Sequence, residues 1–172
     1  KKKEIIVNDK SYKRLNVLKE NIRRLKFNPK LYNRDMFNYD TNVKYDFIIL
    51  DIPCSAVGTI RKNPEIFFKR KSPNFKELQV LQKKMLDKAS NLLNIDGLII
   101  YMVCSFLKYE TEDQINNFLY RHSNFEIFSF NLLSQNIKYS KLMNNNFMKI
   151  FPDTLLDFNI DGYFAAYLKK IK

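Results

Sequence analysis

Two apolar runs separated by an amphipathic segment constrain the fold of this 172-residue chain more than any other feature. The runs cover residues 45–50 and 98–103, and both are dominated by the aliphatic and aromatic residues that favour β-strands. Between them, apolar residues recur at helical spacing and form one stripe of Leu78, Leu81, Met85, Ala89 and Leu92. A strand, a helix and a strand in this order predict parallel strands joined through a helix.

The helix between the two runs has sequence signals at both ends. Ser72 can cap its start, and Pro73 suits the first helical position because the N–H that proline lacks has no helical partner there. Asp96 and Gly97 are expected to end the helix, since this pair favours a turn.

Similar patterns lie on both sides of this unit. Residues 4–8 predict a short buried strand, residues 11–26 a helix with leucines on one face, and residues around Leu31 a weak strand. Downstream, the patterns predict a helix near 109–121, strands near 125–130, 147–151 and 162–168, and a mobile polar loop over 131–146. The last two strands are close enough in sequence to pair antiparallel.

The alternation of strands and helices predicts an α/β fold with a mostly parallel sheet. In such sheets, ligands bind at the carboxyl ends of the strands. The sequence contains no internal repeat and no sign of a second domain, so we expect residues 1–172 to form one domain.

The net charge of +12 suits a polyanionic partner such as RNA. Lysine supplies 23 of the 30 basic residues, and a coding sequence rich in A and T produces the same bias whatever the function. Charge alone therefore does not decide between these two causes.

The chain contains no run of 18 apolar residues and no secretory signal before its first strand, so we expect a cytoplasmic protein without a membrane span. Its true amino terminus is expected upstream of Lys1.

A disulfide is not expected in the cytoplasm, and Cys54, Cys104 and His122 make a poor zinc site, which usually needs four ligands. We expect no metal, and thiols that are either reactive or simply buried.

Three aspartates follow three of the predicted strands. They are Asp9, Asp35 and Asp51. An acidic residue at a strand end can accept hydrogen bonds from the ribose hydroxyls of a cofactor. Aspartates in this position also commonly cap the next helix or turn, and the sequence leaves both interpretations open.

Cysteine follows two of the strands, in the segments DIPCS at residues 51–55 and VCS at residues 103–105. Because neighbouring strand ends can face one crevice, Cys54, Cys104 and the Asp51 carboxylate are expected to converge there. A thiolate is a potent nucleophile once its pKa is lowered, and a strand-to-helix turn supplies hydrogen-bond donors for that. The alternative is that both cysteines are inert core residues.

These segments resemble the Sun (RsmB-like) family of RNA cytosine-5 methyltransferases. The family's fourth motif, with its usual core Asp-Ala-Pro-Cys-Ser, is similar to DIPCSAVGTIRKNPEIFFKR. The following helix, strand and Thr-Cys-Ser motif resemble LQKKMLDKASNLLNIDGLIIYMVCSFLKYETEDQINNFL, which includes Glu110 and Glu112. VNDKSYKRLNVLKENIRRL looks like the second strand and helix, and DGYFAAYLKK resembles the closing strand.

The resemblance implies a Rossmann-like, S-adenosylmethionine-dependent methyltransferase with helices on both faces of the sheet. It implies that Cys104 attacks carbon-6 of a flipped-out cytosine in RNA, ribosomal RNA being the expected substrate. Cys54 would assist product release, and Asp51 would position the base and lie beside the cofactor. The remaining implied contacts are Asp9 with the cofactor ribose, Asp35 with its adenine edge, and Arg61 and Lys62 with RNA phosphates.

The chain also departs from the family pattern. The first strand and glycine-rich turn, which wrap the methionine end of the cofactor, are expected before Lys1 and are missing. Ile52 replaces the usual alanine, and Met102 and Val103 replace a small residue and a threonine before Cys104.

Two other functions therefore stay open. The chain can be a catalytically inactive fragment of a split or decayed methyltransferase gene, or a piece completed by a separately made amino-terminal fragment. It can also be a basic RNA-binding module without catalytic activity.

Overall fold

The computed structural model describes residues 4–40, 42–68, 74–128, 143–144, 147–152 and 160–172. The chain forms two compact units, Lys1–Val43 and Lys44–Lys172. The expected single domain stays a prediction. Within the described ranges, no helix is long and apolar enough to cross a membrane.

The first unit is a strand, a helix and a strand. Strand β1 spans Ile6–Asn8, helix α1 Tyr12–Arg24 and strand β2 Lys30–Tyr32. The two strands pair in parallel, as the sequence predicts. Ser11 caps α1 by accepting a hydrogen bond from the Arg14 N–H. Strand β1 is half-buried, which differs from the buried strand expected over residues 4–8.

The second unit contains one mixed sheet. Its strands are β3 (Tyr45–Asp51), β4 (Leu93–Val103), β5 (Phe125–Ile127), β6 (Met143–Asn144), β7 (Phe147–Ile150) and β8 (Tyr163–Lys170). The strand order is β3-β4-β8-β7-β6, and β5 also pairs with β8. Within this part of the chain, β3 and β4 are parallel, whereas the other pairings are antiparallel. The expectation of a mostly parallel sheet is therefore wrong for this unit, because the last four strands pair antiparallel with one another and β8 pairs antiparallel with β4.

Helix α2 (Phe75–Leu92) packs on β4 and on helix α3 (Glu112–Arg121). Asn74 caps α2 through the Glu77 N–H, whereas the predicted cap residues Ser72 and Pro73 lie outside the described residues. The most buried side chains of α2 include Gln82 and Leu86. Ala89 and Leu92 of the predicted apolar stripe are buried as expected, whereas Gln82 and Leu86 are buried in place of Leu81 and Met85.

The end of α2 was expected at Asp96 and Gly97 but lies at Leu92. Leu93 is buried and already pairs with Tyr45 of β3. The pairing then shifts register, and Asp96 adopts a left-handed φ of 62° within this irregularity. Asp96 and Gly97 therefore do mark a local irregularity of the backbone, but it is a bulge inside β4 and not the end of α2.

The downstream elements agree with the sequence. Helix α3 begins at Glu112, after a 3-10 turn over Lys108–Glu110, and β7 pairs antiparallel with β8 as predicted. Most of the predicted loop over 131–146 lies outside the described residues, although 143–144 form strand β6.

Strand β4 lies at the centre of the second unit. It pairs with β3 on one side and with β8 on the other. Tyr101 and Val103 of β4 and Phe164 of β8 are fully buried, and the Tyr101 hydroxyl donates to the Glu110 carbonyl at 2.6 Å. This buried centre fixes the direction in which the chain leaves β4 at Cys104.

Truncating Leu86 to alanine is expected to lower the free energy of unfolding by about 2–5 kcal/mol, because its side chain is fully buried in α2. Val80 on the same helix is 51% exposed, so Val80→Ala is the matched control and should change stability by less than about 0.5 kcal/mol. Urea unfolding followed by circular dichroism measures both. Equal losses in the two variants would contradict the packing described for α2.

Candidate active site

The two cysteine segments leave the sheet side by side. Asp51 at the end of β3 lies opposite Met102 of β4, and the Ile52 N–H continues the pairing by donating to the Met102 carbonyl at 3.0 Å. Because the strands are parallel neighbours, Cys54 and Cys104 emerge at the same edge of the sheet.

The structure brings the two predicted cysteines into contact. The Sγ atoms of Cys54 and Cys104 lie 3.4 Å apart, which is a hydrogen-bond distance for sulfur. Both thiols are free, and both residues are half-buried. The site therefore holds a pair of thiols that can share one proton.

Of the two thiols, Cys104 is the one that ionises and carries the negative charge. A hydrogen bond from Cys54, aided by the backbone N–H of Cys104, lowers the pKa of the Cys104 thiol to about 7, against the opposing effects of burial and of Asp51 and Glu110. The same hydrogen bond and burial raise the pKa of Cys54 well above its ordinary value. Above about pH 7, the arrangement is mainly a Cys104 thiolate that accepts a hydrogen bond from a Cys54 thiol.

The Asp51 carboxylate lies within electrostatic reach of this thiol pair. It opposes ionisation of Cys104, and it contributes with burial to raising the pKa of Tyr163 to about 12. Asp51 itself is exposed at the end of β3. A carboxylate and a thiolate thus face one region at the carboxyl ends of β3 and β4.

A buried carboxylate joins the two cysteine segments. Glu110 is fully buried, and its Oε1 accepts the Ser55 N–H at 2.9 Å and the Gln82 amide at 3.2 Å. Its Oε2 accepts the hydroxyls of Ser55 at 2.5 Å and Ser105 at 2.6 Å. Gln82 also donates to the Pro53 carbonyl at 3.0 Å. The residues that directly follow each cysteine are therefore bonded to one side chain.

Two glycines allow a third segment to approach the same place. The Gly58 N–H donates to the Cys104 carbonyl at 3.0 Å, and the Gly162 N–H donates to the Gly58 carbonyl at 2.6 Å. A Cβ on Gly58 would lie 2.1 Å from the Gly162 carbonyl oxygen, so no larger residue fits there without backbone movement. This contact brings the start of β8 against both cysteine segments.

Several residues of the site were not singled out from the sequence. Tyr163 follows Gly162 at the start of β8, and its pKa shift places it near Asp51 and both thiols. An aromatic residue directly after Asp-Gly at the start of the closing strand was an available signal. The sequence points to Glu110 only through the family resemblance, and nothing in the sequence around Gln82 indicates its role.

The two predicted phosphate contacts form ion pairs within the second unit. Lys62 lies 2.9 Å and Arg61 3.4 Å from the carboxylate of Asp161, next to Gly162. The ion pair with Lys62, above all, holds the pKa of Asp161 below its ordinary value. The Lys62 side chain keeps 62% of its surface exposed.

The other two predicted aspartates lie in the first unit, at the ends of the adjacent parallel strands β1 and β2. Asp9 accepts two hydrogen bonds from Arg14 and one from the Ser11 N–H, and the Arg14 contact above all lowers its pKa. Asp35 pairs with Lys10 at 2.7 Å and caps a 3-10 turn. Both aspartates make the local capping contacts that the sequence left open, and their cofactor roles stay predictions.

Comparison with known proteins assigns the family. The sequence model of the 16S rRNA methyltransferase RsmB/F family matches residues 1–169. The chain belongs to this family. The ribosomal RNA small subunit methyltransferase B of Shewanella oneidensis is 37% identical over 121 residues, which are 69% of this chain and 28% of that protein. The protein of the same name from Pectobacterium atrosepticum is 35% identical over 125 residues, or 71% of this chain and 29% of that protein.

The chain therefore spans less than a third of the length of these curated relatives.

Solved structures confirm the expected Rossmann-like methyltransferase fold. NSun6 from Pyrococcus horikoshii with SFG has a TM-score of 0.77 at 27% identity, and the match covers 98% of this chain and 42% of that one. A methyltransferase homolog from the same organism has a TM-score of 0.74 at 24% identity, covering 97% and 53%.

The departures from the RsmB/F pattern are accommodated by the core. The Ile52 side chain is 3% exposed, and Val103 is fully buried opposite Phe164 of β8. Both apolar side chains are thus buried, and the cysteine segments that follow them keep their hydrogen bonds to Glu110.

Alkylation of Cys104 by iodoacetamide should follow a titration with a midpoint near pH 7, because only the thiolate reacts. Cys54→Ala removes the hydrogen bond that stabilises the thiolate, so the midpoint should rise to about 8.5 or above. Mass spectrometry of the Cys104 peptide over a pH series measures both midpoints. An unchanged midpoint in Cys54→Ala would contradict the polarised thiol pair.

Proposed function

We propose that this chain carries the catalytic site for S-adenosylmethionine-dependent methylation of carbon-5 of cytosine in ribosomal RNA, through a covalent adduct with Cys104. The observation that carries the proposal is the thiol pair of Cys54 and Cys104 at 3.4 Å, with the pKa of Cys104 lowered to about 7. Membership of the 16S rRNA methyltransferase RsmB/F family supports the RNA substrate. The relatives named as small subunit methyltransferases support ribosomal RNA in particular.

Cys104 acts as the nucleophile in this proposal. Its thiolate adds to carbon-6 of cytosine, the carbon-5–carbon-6 double bond opens, and the electron pair moves to carbon-5. S-adenosylmethionine, when bound, supplies the methyl group that carbon-5 needs. A water molecule then takes the proton from carbon-5, the electron pair of that carbon–hydrogen bond restores the carbon-5–carbon-6 double bond, and the carbon-6–sulfur bond breaks with its electron pair returning to sulfur as the Cys104 thiolate.

Cys54 and Asp51 support these steps. The Cys54 thiol is held protonated and donates towards the Cys104 sulfur, so it can stabilise that sulfur as it leaves carbon-6. Asp51 lies within electrostatic reach of the pair, where its carboxylate can accept a hydrogen bond from the exocyclic amine of the base. Thiol and carboxylate thereby take separate roles at one cytosine.

Asp9 and Asp35 have the chemistry that binding of S-adenosylmethionine requires. They are carboxylates at the ends of two adjacent parallel strands, and carboxylates there can accept hydrogen bonds from ribose hydroxyls and from the adenine amine. Arg14 and Lys10 hold these carboxylates ionised by direct ion pairs. NSun6, solved with SFG, an analogue of S-adenosylmethionine, supports this cofactor for the family's fold.

The RNA is proposed to bind with its target cytosine flipped out, because carbon-6 is inaccessible in a stacked helix. Arg61 and Lys62 remain the proposed phosphate contacts, and the largely exposed Lys62 side chain is the better placed of the two. The cytoplasm is the proposed compartment, since the chemistry needs two reduced thiols. A separate amino-terminal fragment as partner stays a prediction.

The chain incubated with S-adenosylmethionine and RNA that contains 5-fluorocytosine should form a covalent protein–RNA adduct, because fluorine cannot leave carbon-5 as a proton does. Cys104→Ala should abolish the adduct. Cys54→Ala should instead accumulate an adduct with ordinary cytosine, since release from Cys104 is slowed. Denaturing gel electrophoresis with labelled RNA measures all three.

An adduct that survives in Cys104→Ala would overturn the assignment of the nucleophile. RNA binding without any adduct would favour a non-catalytic RNA-binding module, which the net charge of +12 also suits. Absence of both RNA binding and adduct would favour the catalytically inactive fragment.

Asp9→Asn should weaken binding of S-adenosylmethionine roughly 10-fold or more, because a hydrogen bond to a charged group contributes about 1.5–3 kcal/mol. Asp40→Asn is the matched control, since Asp40 is an exposed aspartate of the same unit that caps only a local turn. Isothermal titration calorimetry measures both affinities. Equal affinity of Asp9→Asn and the unchanged chain would exclude Asp9 from the cofactor site.

A further inference from the structure

The bonds of Glu110 converge on the residues next to both reactive thiols. Ser55 directly follows Cys54, Ser105 directly follows Cys104, and the two serine hydroxyls donate to the same carboxylate oxygen of Glu110. The two serine oxygens lie 3.5 Å apart and the two cysteine sulfurs 3.4 Å apart. The spacing of the serines at Glu110 thus matches the spacing of the thiols one residue earlier.

Hydrogen bonds occupy all the acceptor positions of the Glu110 carboxylate. A carboxylate offers about four acceptor positions, and the donors are the Ser55 N–H, the Gln82 amide and the two serine hydroxyls. The Glu110 side chain is fully buried, so removing it would take away the acceptor that Ser55 and Ser105 share, whereas Gln82 would keep its bond to the Pro53 carbonyl. Its backbone is fixed as well, because its carbonyl accepts from Tyr101 of β4.

We propose that Glu110 is a positioning residue that holds Cys54 and Cys104 at hydrogen-bonding distance by binding the serine that follows each of them. Glu110 acts through the thiol pair and does not touch the reacting base. The inference rests on the proposed function, because the thiol spacing matters for catalysis only if Cys104 is the nucleophile.

The hydrogen bonds of Glu110 and its negative charge shift the pKa of Cys104 in opposite directions, so the two contributions can be measured separately. As a nearby negative charge, Glu110 raises the pKa of Cys104. As a positioning residue, it keeps the Cys54 hydrogen bond that lowers the same pKa. Removing only the charge should therefore lower the alkylation midpoint of Cys104, whereas removing the positioning contacts should raise it.

The test compares iodoacetamide alkylation of Cys104 over a pH series in Glu110→Ala, Glu110→Gln and a control. Glu110→Ala should raise the midpoint by about one unit or more, because the contact between the thiols is lost. Glu110→Gln can still accept from Ser55 and Gln82 and donate to the hydroxyls, so its midpoint should stay at or below that of the unchanged chain. Glu112→Gln, which loses the ion pair with Lys149 and can still accept from the Thr111 hydroxyl, is the control and should show no change.

Combining Glu110→Ala with Cys54→Ala tests whether Glu110 acts through the hydrogen bond between the two thiols. In the Cys54→Ala background, Glu110→Ala should give no further rise, because the hydrogen bond that it protects is already absent. A rise that persists without Cys54, or a lowered midpoint in Glu110→Ala itself, would overturn the proposal.

Thermal unfolding of each variant establishes that it is folded. If Glu110→Ala does not fold, the double variant Ser55→Ala and Ser105→Ala removes the two hydroxyl donors and should raise the midpoint in the same direction. No rise in that variant would also overturn the proposal. Alkylation needs neither RNA nor cofactor, so failure to form an RNA adduct would reject the proposed function separately.

Discussion

The 3.4 Å contact between the sulfurs of Cys54 and Cys104 is the interaction on which the rest of the site depends. Two thiols at this distance do not ionise independently, since the first thiolate is stabilised by the proton of its neighbour and makes the second ionisation harder. The Cys104 thiolate is supported by the hydrogen bond from Cys54 and by a backbone N–H, whereas the shared hydrogen bond and burial raise the pKa of Cys54. One contact thus produces both a thiolate and a proton donor, the two forms that addition and release require in the proposed reaction.

The arrangement of the strands in the sheet makes this contact possible. Strands β3 and β4 are parallel neighbours, so the chain leaves both at one edge, and β8 pairs antiparallel on the other side of β4 and starts at that same edge. Gly58 and Gly162 then let the backbone of three segments come within hydrogen-bonding distance. The buried core behind them, with Tyr101 and Phe164, gives these segments a rigid base.

Much of this geometry could be predicted from the sequence, because it follows from local patterns. The apolar runs at 45–50 and 98–103 predict strands, and the parallel pairing of these strands places Cys54 and Cys104 together. Burial of the first run does not follow, because Phe47 and Ile49 of β3 are more than half exposed. What could not be predicted depends on partners far away along the chain. Gln82 lies on the buried face of α2, where its amide donates to Glu110, 28 residues later, and no local pattern indicates that partner. The early start of β4 likewise results from pairing of Leu93 with Tyr45 across the sheet.

The convergence of the two thiols is tested most directly by a trivalent arsenical such as phenylarsine oxide, which binds tightly only where two thiols can bridge one arsenic atom. The chain should bind one arsenical, and intact-mass spectrometry after alkylation should show Cys54 and Cys104 protected together. Single alanine variants at either cysteine should lose the tight binding. Full alkylation of both cysteines in the presence of the arsenical would contradict the shared site.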